Sequence, residues 1–176
     1  ADQPSRSALC RGRRGRRAVH GGEGSRLCHR EGGIRCEAAG KDIPIYPGAE
    51  TPMYGEQRQR IAQQAEVLPH WPHQANFPKN QAVDFLANTI RAHPGEVTLL
   101  TVGPLTNAGM LFFEHPDVAD LLAGLVLMGG NFDETGSEAG RIEWNIAGDL
   151  QAANRTYKAP VRLHRSLGLN VTQKVM

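Results

Sequence analysis

From Lys41 onward, hydrophobic and polar positions alternate in blocks that read as strands and helices in turn. Asp42-Ile-Pro-Ile-Tyr-Pro-Gly48 is a short apolar run closed by a Pro-Gly turn, as expected of a buried strand. Ala49 to Pro78 is polar and studded with proline, which predicts a long loop with one helix over 57–66. Asn80 is placed to cap a helix running to Ala92, in which Val83, Leu86, Ala87 and Ile90 repeat at i, i+3, i+4 and i+7 and so share one face. Pro94-Gly95 ends it.

Val97-Thr-Leu-Leu-Thr-Val102 has the continuous β-type composition of a strand covered on both faces. Gly103-Pro104-Leu-Thr-Asn107 then turns the chain into a helix reaching Phe113, and a second helix follows Pro116. Leu125-Val-Leu-Met128 predicts another buried strand closed by Gly129-Gly130. Asp149 is positioned to cap a helix to Lys158, and Val161 to Leu163 predicts a further strand. This alternation implies an α/β fold: a mostly parallel, Rossmann-like sheet with flanking helices.

The first forty residues follow other rules. They hold nine arginines against four acidic residues, eight glycines and no aromatic residue, while the rest of the chain carries more acid than base. All three cysteines (Cys10, Cys28, Cys36) fall in this stretch. Such a segment buries too little apolar surface to offset its ordering entropy, so disorder is expected over residues 1–33, with a folded domain over 34–176. Three readings apply to it. Arg11, Arg13, Arg14, Arg16 and Arg17 could neutralise nucleic-acid phosphates, but no aromatic side chain is there to stack on bases. Cys10, Cys28, His29 and Cys36 could bind a metal, but their spacing lacks the paired units of zinc sites. The favoured reading is that Gly/Arg/Ala-rich text of this kind is a GC-rich gene translated out of frame, with the frame resolving near Ile34. No apolar run approaches the ~20 residues of a membrane span, and the basic stretch to Arg17 is not followed by the apolar core of a signal peptide. A cytoplasmic protein is the default.

In parallel sheets, ligands sit beyond the carboxyl ends of the strands. Two turns fit, Val102-Gly103-Pro104 and Met128-Gly129-Gly130, although glycine and proline also simply end strands. If Glu143-Trp144-Asn145 is extended, Glu143 and Asn145 face the same side, and a carboxylate beside an amide suits the vicinal hydroxyls of a sugar. The alternative is a solvated loop. His70 and His73 flank Trp71 in the long loop, where imidazoles could protonate a leaving base and the indole could stack on it. A rigid surface loop with exposed histidines is the equal alternative.

Taken in order, Asp42-Ile-Pro-Ile-Tyr-Pro-Gly, Ala82-Val-Asp-Phe-Leu, Val102-Gly-Pro-Leu-Thr-Asn, Leu127-Met-Gly-Gly, Glu143-Trp-Asn and Gly168-Leu-Asn-Val-Thr172 resemble the inosine-uridine preferring nucleoside hydrolase family. The resemblance covers roughly residues 34–176 and implies the nucleoside hydrolase fold, incomplete at both ends. It implies hydrolysis of the N-glycosidic bond of purine or pyrimidine ribonucleosides, in nucleoside salvage, through an oxocarbenium-like ribosyl state. It also implies one calcium ion holding the ribose hydroxyls and the attacking water. By position, the Val102 backbone carbonyl would ligate calcium, Glu143 and Asn145 would bind ribose hydroxyls, and Met128 would line the sugar pocket.

Departures accompany the match. The family has an asparagine a few residues before its Glu-x-Asn motif, and Ser137 falls nearest here. Asn170 stands where an aspartate is usual. The family's opening Asp-rich motif, which supplies the catalytic base and most calcium ligands, has no counterpart in residues 1–40, and its later His-Asp segment has none before Met176. The resemblance therefore implies that this chain alone is inactive. The rival expectation is a non-catalytic ribosyl-binding or nucleic-acid-binding remnant. Partners implied are a ribonucleoside, no membrane and a homo-oligomeric copy of the chain.

Overall fold

The computed structural model describes residues 10–11, 16–20, 44–58, 70, 80–132 and 141–174. Within them a five-stranded sheet runs in the order β1 (Cys10–Arg11), β2 (Arg16–His20), β3 (Val97–Thr101), β4 (Gly124–Met128) and β5 (His164–Leu167). β1 pairs antiparallel with β2, and all later pairings are parallel. The expected α/β architecture with a mostly parallel sheet and flanking helices is present. Within the stretch where disorder is expected, the Arg16–His20 backbone pairs with the whole of β3. A ladder is made by main-chain groups, which side-chain periodicity does not report. The other predictions for residues 1–33, Cys10 and Arg11 excepted, lie outside the described residues, as does most of the helix predicted over 57–66.

The helices are α1 (Ala82–Ala92), α2 (Thr106–Glu114), α3 (Val118–Leu121), α4 (Trp144–Gly148), α5 (Leu150–Lys158) and α6 (Leu169–Thr172). α1 buries the predicted face, Val83, Leu86, Ala87 and Ile90, against Val97 and Leu99 of β3, Leu111 of α2 and Leu125 and Leu127 of β4. Its cap differs from expectation. Asn80 adopts a left-handed backbone (φ 54°), and the Pro47 carbonyl instead accepts the N–H groups of Gln81 and Ala82 at 2.9 and 3.1 Å. That contact also explains why residues 44–48 form no strand. Two prolines in five positions remove ladder donors, and the carbonyl between them and α1 is spent on the helix start.

β3 is buried on one face through Val97, Leu99 and Thr101, while Thr98 and Leu100 are only half-covered, so it is less enclosed than its composition predicts. β5 begins three residues later than predicted. Val161 turns into the core with its N–H on the Ala159 carbonyl, and the ladder to β4 starts where the Leu163 carbonyl accepts the Leu125 N–H. α2 and α5 pack so closely that a Cβ on Gly109 would meet the Ala152 backbone. A second small core of Leu105, Ala152 and Ala153, with Met53 and Ile146 against it, lies beneath α4.

Candidate functional site at the carboxyl ends of the strands

β4 ends at Met128, and the Gly129-Gly130 turn follows with Gly130 in the left-handed region (φ 84°). Both glycines are used. A Cβ on Gly129 would press on Ile146 of α4, and one on Gly130 would press on the Phe132 ring. The chain returns to this turn at Glu143, which is buried and takes the N-cap position of α4. One carboxylate oxygen, Oε1, accepts the Asn145 N–H at 2.8 Å. Oε2 accepts the Ile146 N–H at 3.2 Å and the Gly130 N–H at 3.1 Å. Glu143-Trp144-Asn145 is therefore not extended, because the carboxylate finds better partners by capping a helix than an alternating segment would offer.

The two side chains nonetheless converge by this other route. Asn145 is buried on the first turn of α4, and its Nδ2 donates to the Met128 carbonyl and reaches the Met128 sulfur, both at 3.1 Å. That donation orients the amide, since the carbonyl of Met128 requires a donor opposite it. No hydrogen bond among the described residues engages the carbonyl oxygen of Asn145. Met128, Glu143 and Asn145 thus form one wall at the end of β4. Trp144, beside them, is 51% exposed.

Asp149 secures the other end of α4. It caps α5 as predicted, with Oδ1 accepting the Ala152 N–H at 3.0 Å. Its Oδ2 also accepts the Thr106 hydroxyl at 2.9 Å and the Met53 N–H at 2.6 Å, which joins α2 and the loop before residue 58 to the same carboxylate. Asn107, next to Thr106, accepts the Ala49 N–H at 2.8 Å, and its side chain occupies the place a Cβ on Gly48 would need. Capping was legible from sequence, but the long-range partners of Asp149 and Asn107 carry no local signal.

Val102 follows the last paired residue of β3 and is 54% exposed, at the same end of the sheet. His70 is exposed, and no hydrogen bond or ion pair among the described residues links it to the Met128–Glu143–Asn145 group. His73 and Ser137 lie outside the described residues. Asn170, in α6, is half-buried, and its Oδ1 lies 3.5 Å from the Phe132 backbone nitrogen. His164, at the start of β5, is held below the usual histidine range by burial, and its Nε2 has no hydrogen-bond partner among the described residues.

Among the described residues no three His, Cys, Asp or Glu side chains gather as a metal site. The Glu143 and Asp149 carboxylates are engaged by backbone and hydroxyl donors. Calcium takes six to eight oxygens, so the Val102 carbonyl by itself does not make a calcium shell. What the described residues do supply is a set of polar groups, from Met128, Glu143 and Asn145, gathered at the end of β4.

A mostly parallel α/β sheet with polar groups gathered at its carboxyl end defines the class of fold. The chain belongs to the inosine-uridine preferring nucleoside hydrolase family, whose model matches residues 19–176. It is 30% identical over 151 residues to a probable uridine nucleosidase 1 of Oryza sativa subsp. japonica, covering 81% of this chain and 45% of that protein. It is 32% identical to the pyrimidine-specific ribonucleoside hydrolase RihA of Salmonella arizonae, covering 76% of this chain and 43% of that one. A solved plant nucleoside hydrolase superposes with a TM-score of 0.68 at 29% identity, covering 79% of this chain and 46% of its own. The chain spans just under half the length of the curated relatives it matches. No helix among the described residues is long and apolar enough to cross a membrane.

Proposed function

We propose that the reaction of the protein is hydrolysis of the N-glycosidic bond of ribonucleosides to ribose and free base, for which the described residues supply the ribose-binding part while the catalytic base and most calcium ligands come from outside them. The observation that carries this reading is the convergence of Met128, Glu143 and Asn145 at the end of β4 in a chain of this family. In it, the Asn145 carbonyl oxygen and the lone pair that Glu143 Oε1 does not spend on Asn145 accept ribose hydroxyls, and the Met128 side chain lies along the sugar. Acceptors that bind hydroxyls this way gain strength as the ribosyl group takes on oxocarbenium character, which lowers the barrier to bond breaking.

The same proposal takes calcium as the cofactor, with the Val102 carbonyl as one ligand, and places the reaction in cytoplasmic nucleoside salvage. Family membership supports the nucleoside chemistry and the oxygen-ligated metal. Uridine is the substrate to test first, since the rice relative is named for it and the Salmonella relative is named pyrimidine-specific.

The test is a reducing-sugar assay with uridine and inosine in calcium buffer, on the protein in the form its native cell makes. Ribose release is expected, and Asn145→Ala should lower kcat/KM by about 10–100-fold through loss of one or two hydroxyl bonds. No release above buffer from either nucleoside overturns the proposal.

A further inference from the structure

The Gly129–Gly130 peptide is bonded on both sides. Its N–H, on Gly130, donates to Glu143 Oε2 at 3.1 Å. Its carbonyl, on Gly129, accepts the Ser166 hydroxyl of β5 at 3.1 Å, with the Tyr157 hydroxyl of α5 at 3.5 Å. The two hydroxyls lie 2.6 Å apart. Ser166 has one proton, and its bond to the carbonyl is the shorter of the two. Tyr157 therefore donates to Ser166, and Ser166 donates to Gly129. A directed chain results: Tyr157 O–H to Ser166 O–H, to the Gly129 carbonyl, through the peptide to the Gly130 N–H, and on to Glu143.

We propose that Ser166 and Tyr157 are positioning residues that lock this peptide plane and so aim the Glu143 carboxylate. A peptide between two glycines, one at positive φ, turns over with little steric resistance. If it turned over here, the Gly129 carbonyl would face the Glu143 carboxylate, oxygen against oxygen, and the carboxylate would have to leave. The two hydroxyls hold the carbonyl on the far side. Hydrogen bonds in series also polarise one another, so the pair strengthens the Gly130–Glu143 bond as well as orienting it. Both hydroxyls end on Gly129 rather than on Met128, Glu143 or Asn145. The consequence for sugar binding rests on the proposed function, whereas the lock itself does not.

The experiment measures amide hydrogen exchange at Gly130 by NMR in the wild type, Ser166→Ala, Tyr157→Phe and Ser166→Thr, with uridine affinity by calorimetry and Tm recorded for each. Ser166→Ala should speed Gly130 exchange by about tenfold or more, Tyr157→Phe by less, and Ser166→Thr should restore protection because it returns the hydroxyl. Uridine affinity should fall about 3–10-fold in Ser166→Ala while Tm moves by only a few degrees at most. Gly130 exchange within about twofold of wild type in Ser166→Ala overturns the lock, whatever uridine does. Faster exchange with no uridine binding by any form, the wild type included, upholds the lock and counts against the sugar site instead.

Discussion

Glu143→Gln is ordinarily a mild change, and here it should be a severe one. Both carboxylate oxygens accept backbone N–H groups: Oε1 from Asn145, Oε2 from Ile146 and Gly130. An amide keeps one oxygen and replaces the other with an NH2 group, which has nothing to accept with. Turned toward Ile146 and Gly130, that NH2 breaks two bonds. Turned toward Asn145 it breaks one, so the second orientation wins. The buried Asn145 N–H then faces another donor, at a cost of about 1.5–3 kcal/mol for a lost bond to a charged acceptor. The two surviving bonds become neutral and lose roughly half their strength, which brings the total to about 2–4 kcal/mol. For a chain of this size that corresponds to a fall in Tm of roughly 5–15 °C, read by circular dichroism. A Glu143→Gln protein melting within about 1 °C of wild type would refute the claim that this carboxylate is held by three backbone donors.

Asp149→Ala should cost about 2–4 kcal/mol in urea unfolding, because Met53, Thr106 and Ala152 lose a shared acceptor, and an effect below about 0.5 kcal/mol would contradict the clamp. Gly109→Ala should lower stability by about 1–3 kcal/mol despite alanine's better helix propensity, since its Cβ meets the Ala152 backbone; a more stable variant would show that α2 and α5 can part. Burial holds His164 below the usual histidine range, so the unfolded chain binds its proton more readily than the folded one. Its contribution is therefore fully present above the ordinary histidine value and lost as pH falls below it. His164→Gln should flatten the decline of Tm on acidification, and an unchanged slope would count against this.

Elements with strong local periodicity were legible in the sequence. The apolar face of α1 and the cap of α5 at Asp149 stand where the pattern puts them, because burial of a helix face and side-chain capping are both written within a few residues. Asn80 misleads because a main-chain carbonyl from Pro47 takes the role its side chain could have filled. Glu143 and Asn145 were expected in an extended triplet and stand instead at the start of a capped helix. An extended triplet and a capped helix present the same three letters, and only the position of Gly130 decides between them. Arg16–His20 carries no apolar repeat, since its pairing with β3 is made by backbone groups. The contacts of Ser166 and Tyr157 with Gly129 join residues distant in sequence, and nothing local marks them.

The central claim is that Met128, Glu143 and Asn145 form a wall that recognises ribose through its hydroxyls. Calorimetric titration of the protein with uridine and with 2′,3′-dideoxyuridine tests it most directly, since the two ligands share a base and differ in the groups the wall should hold. The account predicts that uridine binds at least about tenfold more tightly, and that Asn145→Ala narrows the gap. Equal affinity for the two ligands, unchanged by Asn145→Ala, would contradict it.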